Sequence, residues 1–118
     1  MTRAGSVEIR VEPSGNGGAT IVRVEGDLDM ATAPELEEAL ERADFSKRIV
    51  IDLAGCTFLD SSAVRALVAT ARAAEQAGGD VALVTRDPGI LRVLEIASVD
   101  MMLPVHETVE LASVTPES

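Results

Sequence analysis

One short segment sets the terms for the fold: RIVIDLAG, residues 48–55. From Ile49 to Leu53 it is almost continuously apolar, the composition of a central strand covered on both faces. Such a strand cannot lie at a surface, so the rest of the chain has to supply layers on either side of it. The chain has 118 residues, the size of one ordinary domain with a single core.

Strand and helix patterns alternate around that segment. SVEIRVE (6–12) sets Val7, Ile9 and Val11 against polar neighbours, as a half-buried strand does. PSGNGG (13–18) is turn chemistry and ATIVRVEG (19–26) is a second strand, so the two predict a hairpin. In DLDMATAPELEEALERAD, Thr32 and Glu35 have the T-x-x-E spacing of a capping box, and Pro34 is tolerated in a first turn. Leu36, Leu40 and Ala43 mark one helical face, while Glu35, Glu37 and Glu38 crowd the positive end of the dipole.

Past the central strand, Val64, Leu67, Val68 and Ala71 fall at i, i+3, i+4 and i+7 on a helix that runs to a Gly78-Gly79 stop. DVALVTRD (80–87) reads as another buried strand and PGILRVLEIAS as a short helix opened by Pro88. MMLPV (101–105) reads as a last strand, placed at an edge by Pro104, and ETVELASV as a closing helix before a frayed TPES tail. The predicted order is ββαβαβαβα. It implies one α/β domain with a core over residues 6–114, built on a mixed, largely parallel sheet of about five strands with about four helices.

Composition removes several functions. Aromatic residues are 2% of the chain, two Phe and no Tyr or Trp, so base-stacking recognition of nucleic acid lacks its platform. The net charge of −10 repels a phosphate backbone and an anionic membrane surface alike. It suits a protein partner with a basic patch, and equally an acidic surface that simply keeps a small protein soluble. Cys56 is the only cysteine and lies among apolar neighbours, which reads as a small buried hydrophobe. No apolar run approaches the ~18 residues of a spanning helix, and the N-terminus lacks the apolar region of a signal peptide, so the chain reads as cytoplasmic.

Catalytic chemistry is equally sparse. His106 is the single histidine, too little for a conventional zinc site. Ser61 and Ser62 lack the G-x-S-x-G elbow of a hydrolase, and DLD (27–29) matches no calcium loop. The glycines of 13–18 precede a strand rather than open a helix, so they make no phosphate cradle. Asp52 within an apolar strand suggests the receiver domains of response regulators. That reading fails because the first strand ends without an acidic pair and Lys47, the only lysine, lies far from the last strand. The chain is expected not to be an enzyme, with no cofactor and no metal.

What remains is TFLDSSAVRALV, residues 57–68. Phe58 and Leu59 are expected to anchor it, and Asp60-Ser61-Ser62 stands where a helix begins. Serine is a preferred N-cap, because its oxygen accepts a hydrogen bond from an otherwise unpaired backbone N–H. A helix start is also where a hydroxyl can be presented at the surface, so cap and modification site are both open.

GDLDMATAPEL, IDLAGCTFLDSSAVRAL and DVALVTRDPGILRVLEIAS, taken together and in this order, resemble the STAS family, specifically the stand-alone bacterial anti-sigma factor antagonists. The resemblance covers residues 6–114. It implies that the unphosphorylated chain binds an anti-sigma factor that is also a serine kinase, freeing a sigma factor for transcription. It further implies that the kinase phosphorylates Ser61 (Ser62 as second choice) to end the interaction, and that a metal-dependent serine phosphatase restores it. The positions implied to meet the partner are Asp29, Thr32, Asp60, Ser61, Ser62, Ala63 and Arg65, with Asp29 brought near the acceptor by the fold. Ala63 departs from the glycine usual after the two serines, and its methyl is expected to narrow a partner's approach. A different role known among STAS relatives, sensing of a nucleotide or other small ligand without phosphorylation, is the alternative.

Overall fold

A hairpin followed by three crossovers that all step the same way generates the architecture. The computed structural model describes residues 6–13 and 18–113. In it β1 (Val7–Pro13) pairs antiparallel with β2 (Thr20–Leu28). There follow α1 (Ala33–Leu40), β3 (Arg48–Leu59), α2 (Ser61–Ala77), β4 (Asp80–Val84), α3 (Pro88–Ile96), a 3-10 turn (Val99–Met101), β5 (Val105–His106) and α4 (Val109–Ser113). The sheet order is β1-β2-β3-β4-β5, and the last four strands are parallel. Parallel crossovers are right-handed, so three successive steps in one direction put α1, α2 and α3 on the same face. There Leu36, Leu40, Leu67, Ile90 and Leu94 meet Val22, Val24, Ile49, Ile51 and Leu53 in the main core.

The opposite face is covered by α4, where Val109 and Ala112 pack on Ile21, Val50, Ala82 and Val84. Buried Arg48 fastens that helix down. Its Nη1 donates to the Ala112 carbonyl at 2.9 Å and its Nη2 to Asp80 at 2.8 Å. Further along the same face Arg23 bridges Glu12 at 3.0 Å and the buried Asp52 at 2.6 Å. The hydrogen bond to Glu12, backed by the charges of Glu12 and Asp52, holds the Arg23 guanidinium above its ordinary pKa. Asp52 is therefore engaged in a structural contact with Arg23. Residues 48–53 are all buried, as the sequence required, with one face apolar and the other partly ionic.

The structure corrects several boundaries. β2 runs on to Leu28 and β3 to Leu59, well past Gly55, while β4 stops at Val84. β3 takes an extra residue at each of two register shifts against β2, and those bulges hide the strand pattern beyond Leu53. The expected strand at 101–105 is instead a 3-10 turn followed by two paired residues, because buried Val99 and Leu103 turn the chain into the core. The edge position inferred from Pro104 is observed. No capping box forms at α1: Thr32 is the cap residue but makes no side-chain cap bond. Residues 14–17 of the hairpin turn and the TPES tail lie outside the described residues.

Candidate functional site

Two helix starts lie side by side at the carboxyl ends of β2 and β3, where open α/β sheets place their sites. Leu28 pairs with Leu59, so Asp29 and Asp60 leave the sheet as neighbours. The Asp60 N–H donates to the Leu28 carbonyl at 3.1 Å and ties the two turns together. Each aspartate then folds its carboxylate over the next turn in the same way. Asp29 Oδ1 accepts from the N–H groups of Ala31 at 2.9 Å and Thr32 at 3.0 Å. Asp60 Oδ1 accepts from Ser62 at 2.9 Å and Ala63 at 3.2 Å.

Asp60, not a serine, is thus the cap of α2. It has the extended backbone of an N-cap and satisfies two amides that the helix cannot. Ser61 becomes the first helical residue. Its side chain is exposed, and its hydroxyl is not committed to capping. Ser62 is half-buried beside it.

The remaining expected residues divide into surface and support. Arg65 is exposed one turn after Ser61. Thr32 is 1% exposed, and its Oγ1 donates to the Asp27 carbonyl at 2.6 Å and accepts from the Asp29 N–H at 2.9 Å. It holds the Asp29 turn from beneath. Ala63 is 0% exposed, its methyl packed in the main core. Its side chain is therefore inside the protein rather than at the surface, which does not fit the expectation that its methyl narrows a partner's approach. Alanine at that position adds core contact.

Phe58 also departs from expectation. Leu59 anchors the stretch at 3% exposure, but Phe58 is 50% exposed. Met30, 77% exposed next to Asp29, is a second apolar group that sequence reasoning passed over. Met30, Pro34, Ser62, Arg65, Ala69 and Arg72 line an open groove of about 730 Å³ between α1 and α2. No sequence signal marks Met30, since an exposed methionine and a core one look alike in a helical pattern.

Cys56 behaves as read. It is buried in the core, and its thiol donates to the Phe58 carbonyl at 3.2 Å. Burial pushes the thiol above its ordinary pKa, which keeps it protonated and inert. His106 lies on β5, with β4 between it and the strand that leads into Ser61. Among the described residues no group of three His, Cys, Asp or Glu side chains is placed to hold a metal ion, and no helix is long and apolar enough to cross a membrane.

The STAS domain family model matches residues 10–112. Over 95% of both chains the structure is similar to that of an anti-sigma factor antagonist from Mycobacterium paratuberculosis, with a TM-score of 0.84 and 31% identity. The sequence is 30% identical over 98 residues to an anti-sigma-F factor antagonist of Mycobacterium tuberculosis, covering 80% of this chain and 77% of the relative. It is 26% identical over 105 residues to an anti-sigma F factor antagonist of Paenibacillus polymyxa, covering 86% and 89%.

Proposed function

The chain belongs to the STAS domain family, and on that premise we propose that it is an anti-sigma factor antagonist switched by phosphorylation of Ser61. The unphosphorylated form binds an anti-sigma factor with serine kinase activity and so frees a sigma factor. Phosphorylation ends that contact, and a metal-dependent serine phosphatase renews it. The names of the relatives support the antagonist role. One observation carries the switch: Ser61 stands exposed at the first position of α2 while Asp60 does the capping. A hydroxyl so placed can be modified without loss of the helix start.

The energetics favour release over refolding. A phosphate adds about −1.5 to −2 charges at neutral pH. A helix N-terminus attracts that charge by only ~0.3–1 kcal/mol. Here the gain is at the low end, because the N–H groups of Ser62 and Ala63 already bond to the Asp60 carboxylate. Within a docked surface the same phosphate is desolvated beside a carboxylate, and a charge left buried and unpaired costs about 2–5 kcal/mol. The interface penalty is the larger quantity. The phosphoprotein keeps its fold and loses its partner.

Asp29, Ser61, Ser62 and Arg65 form the exposed or half-exposed contact surface of this reading, with Met30 as its apolar component and Thr32, Asp60 and Ala63 beneath it. Incubation with the cognate kinase and ATP is expected to modify wild type but not Ser61→Ala. Ser61→Asp is expected to fold normally and bind the kinase at least tenfold more weakly, a loss of ~1.4 kcal/mol or more. Wild-type affinity in Ser61→Asp would refute the switch.

A further inference from the structure

The two edges of the sheet are unlike. β5 is two residues long and follows Pro104. β1 is seven residues long and, among the described residues, pairs with β2 on one side only. Exposed edges of that length are templates for further strand pairing. The Asp27 N–H donates to the Ser6 carbonyl at 3.0 Å, which sets the phase of the ladder. Ser6, Glu8, Arg10 and Glu12 turn their backbone groups toward β2, and Val7, Ile9 and Val11 turn theirs outward.

The side chains of the edge separate by face. Val7, Ile9 and Val11 are half-buried against the main core. Glu8, Arg10 and Glu12 lie on the other face, and there the pairing with β2 sets like charges opposite one another, Glu8 against Glu25 and Arg10 against Arg23. Arg23 turns to Glu12 and Asp52. Arg10, exposed, has no ion-pair partner among the described residues. Like charges directly opposite are unfavourable, and opposite charges in the next strand offset them.

From this pattern we infer that β1 is a self-association edge whose occupant is β1 of a second copy, antiparallel and centred on Ile9. That register places Ile9 against Ile9 and Val7 against Val11 on the helix-covered face. On the open face it places Glu8 of each copy against Arg10 of the other, twice. Moving the centre to Arg10 sets arginine against arginine and Glu8 against Glu12, and asks Pro13, which has no N–H, to complete the ladder. Moving it to Glu8 sets glutamate against glutamate. Only the Ile9 register matches charge, apolar row and backbone donors together.

The two-fold axis runs through the sheet plane at Ile9, so the carboxyl ends of β2 and β3 point in opposite directions in the two copies. Both Ser61 sites remain open. The inference is therefore independent of the proposed switch. A net charge of −10 on each copy opposes association, and pairing of two edge strands alone is a small contact, so the dimer is expected to be weak.

Sedimentation velocity over a concentration series tests it. Wild type is expected to pass from monomer to dimer, while Arg10→Glu, which turns two attractions into two repulsions, weakens the dimer about tenfold or more. Glu8→Arg is expected to do the same. The double variant Glu8→Arg/Arg10→Glu restores the alternation and should recover association, which no loss of folding can imitate. A wild type that stays monomeric to about 1 mM overturns the inference. So does a dimer indifferent to Arg10→Glu, or a double variant no better than either single one.

Discussion

Asp60→Ala should cost more stability than removing either neighbouring hydroxyl. Asp60 Oδ1 holds two backbone amides, at 2.9 Å from Ser62 and 3.2 Å from Ala63, and the second belongs to a fully buried residue. Loss of an N-cap acceptor costs about 1 kcal/mol, and loss of a carboxylate from the positive end of a helix about 0.3–1 kcal/mol more. The expected sum is roughly 1.3–2 kcal/mol. Asp60→Asn keeps an acceptor and loses only the charge, so it should cost about 0.5 kcal/mol, shrinking with added salt. Ser61→Ala removes no cap bond and places a better helix former at an exposed position, so it should be neutral or gain up to ~0.5 kcal/mol.

Urea unfolding followed by far-ultraviolet circular dichroism separates these cases. With a slope of about 1–3 kcal/mol per molar urea, Asp60→Ala should lower the midpoint by about 1 M and Ser61→Ala should leave it in place. Equal losses in the two variants would refute the reasoning. They would make a serine the cap, and phosphorylation would then disturb the helix itself rather than the surface it presents.

Two further outcomes follow from the buried thiol and from the paired glycines. Burial raises the Cys56 pKa above its unfolded value, so the stability gained by a neutral thiol is complete below about pH 8.5 and is lost as pH rises through the folded value. Wild type should therefore lose stability in mild alkali where Cys56→Ala does not, and native protein at pH 8 should take up iodoacetamide far more slowly than urea-unfolded protein; equal labelling by mass spectrometry would remove the claim. Gly78 caps α2 at φ +92° with open space around a new Cβ, so Gly78→Ala should cost only backbone strain of about 1–2 kcal/mol. A Cβ on Gly79 would meet the carbonyl oxygens of Phe45 and Lys47, so Gly79→Ala should melt at a lower temperature than Gly78→Ala, and the reverse order in thermal unfolding would contradict the structure.

Gly78 and Gly79 also show where sequence stops being informative. Both read as a helix stop, and only the structure separates a left-handed cap from a close approach of two backbones. The same limit holds at Asp60-Ser61-Ser62. The helix start is legible because Val64, Leu67, Val68 and Ala71 keep one face for a whole helix. Asp60 and Ser61 are both good caps, however, and the end of β3 determines which of them has the extended backbone. Ala63 and Phe58 also depart from their expected sides. Ala63 falls on the face of α2 that packs in the main core, and Phe58 on the face of β3 opposite core-packed Leu59.

By itself, the sequence determines the element order, the central place of residues 48–53, the inert character of Cys56 and the presence of a helix start within Asp60-Ser61-Ser62. Each rests on local periodicity or on burial that composition alone can signal. The tertiary structure decides the sheet order, the single-sided layer of α1, α2 and α3, the juxtaposition of Asp29 with Asp60, and the exposure of Met30 and Ser61 over buried Thr32 and Ala63. Those depend on which strands pair and in what register, and register is a property of two segments at once, carried by neither alone.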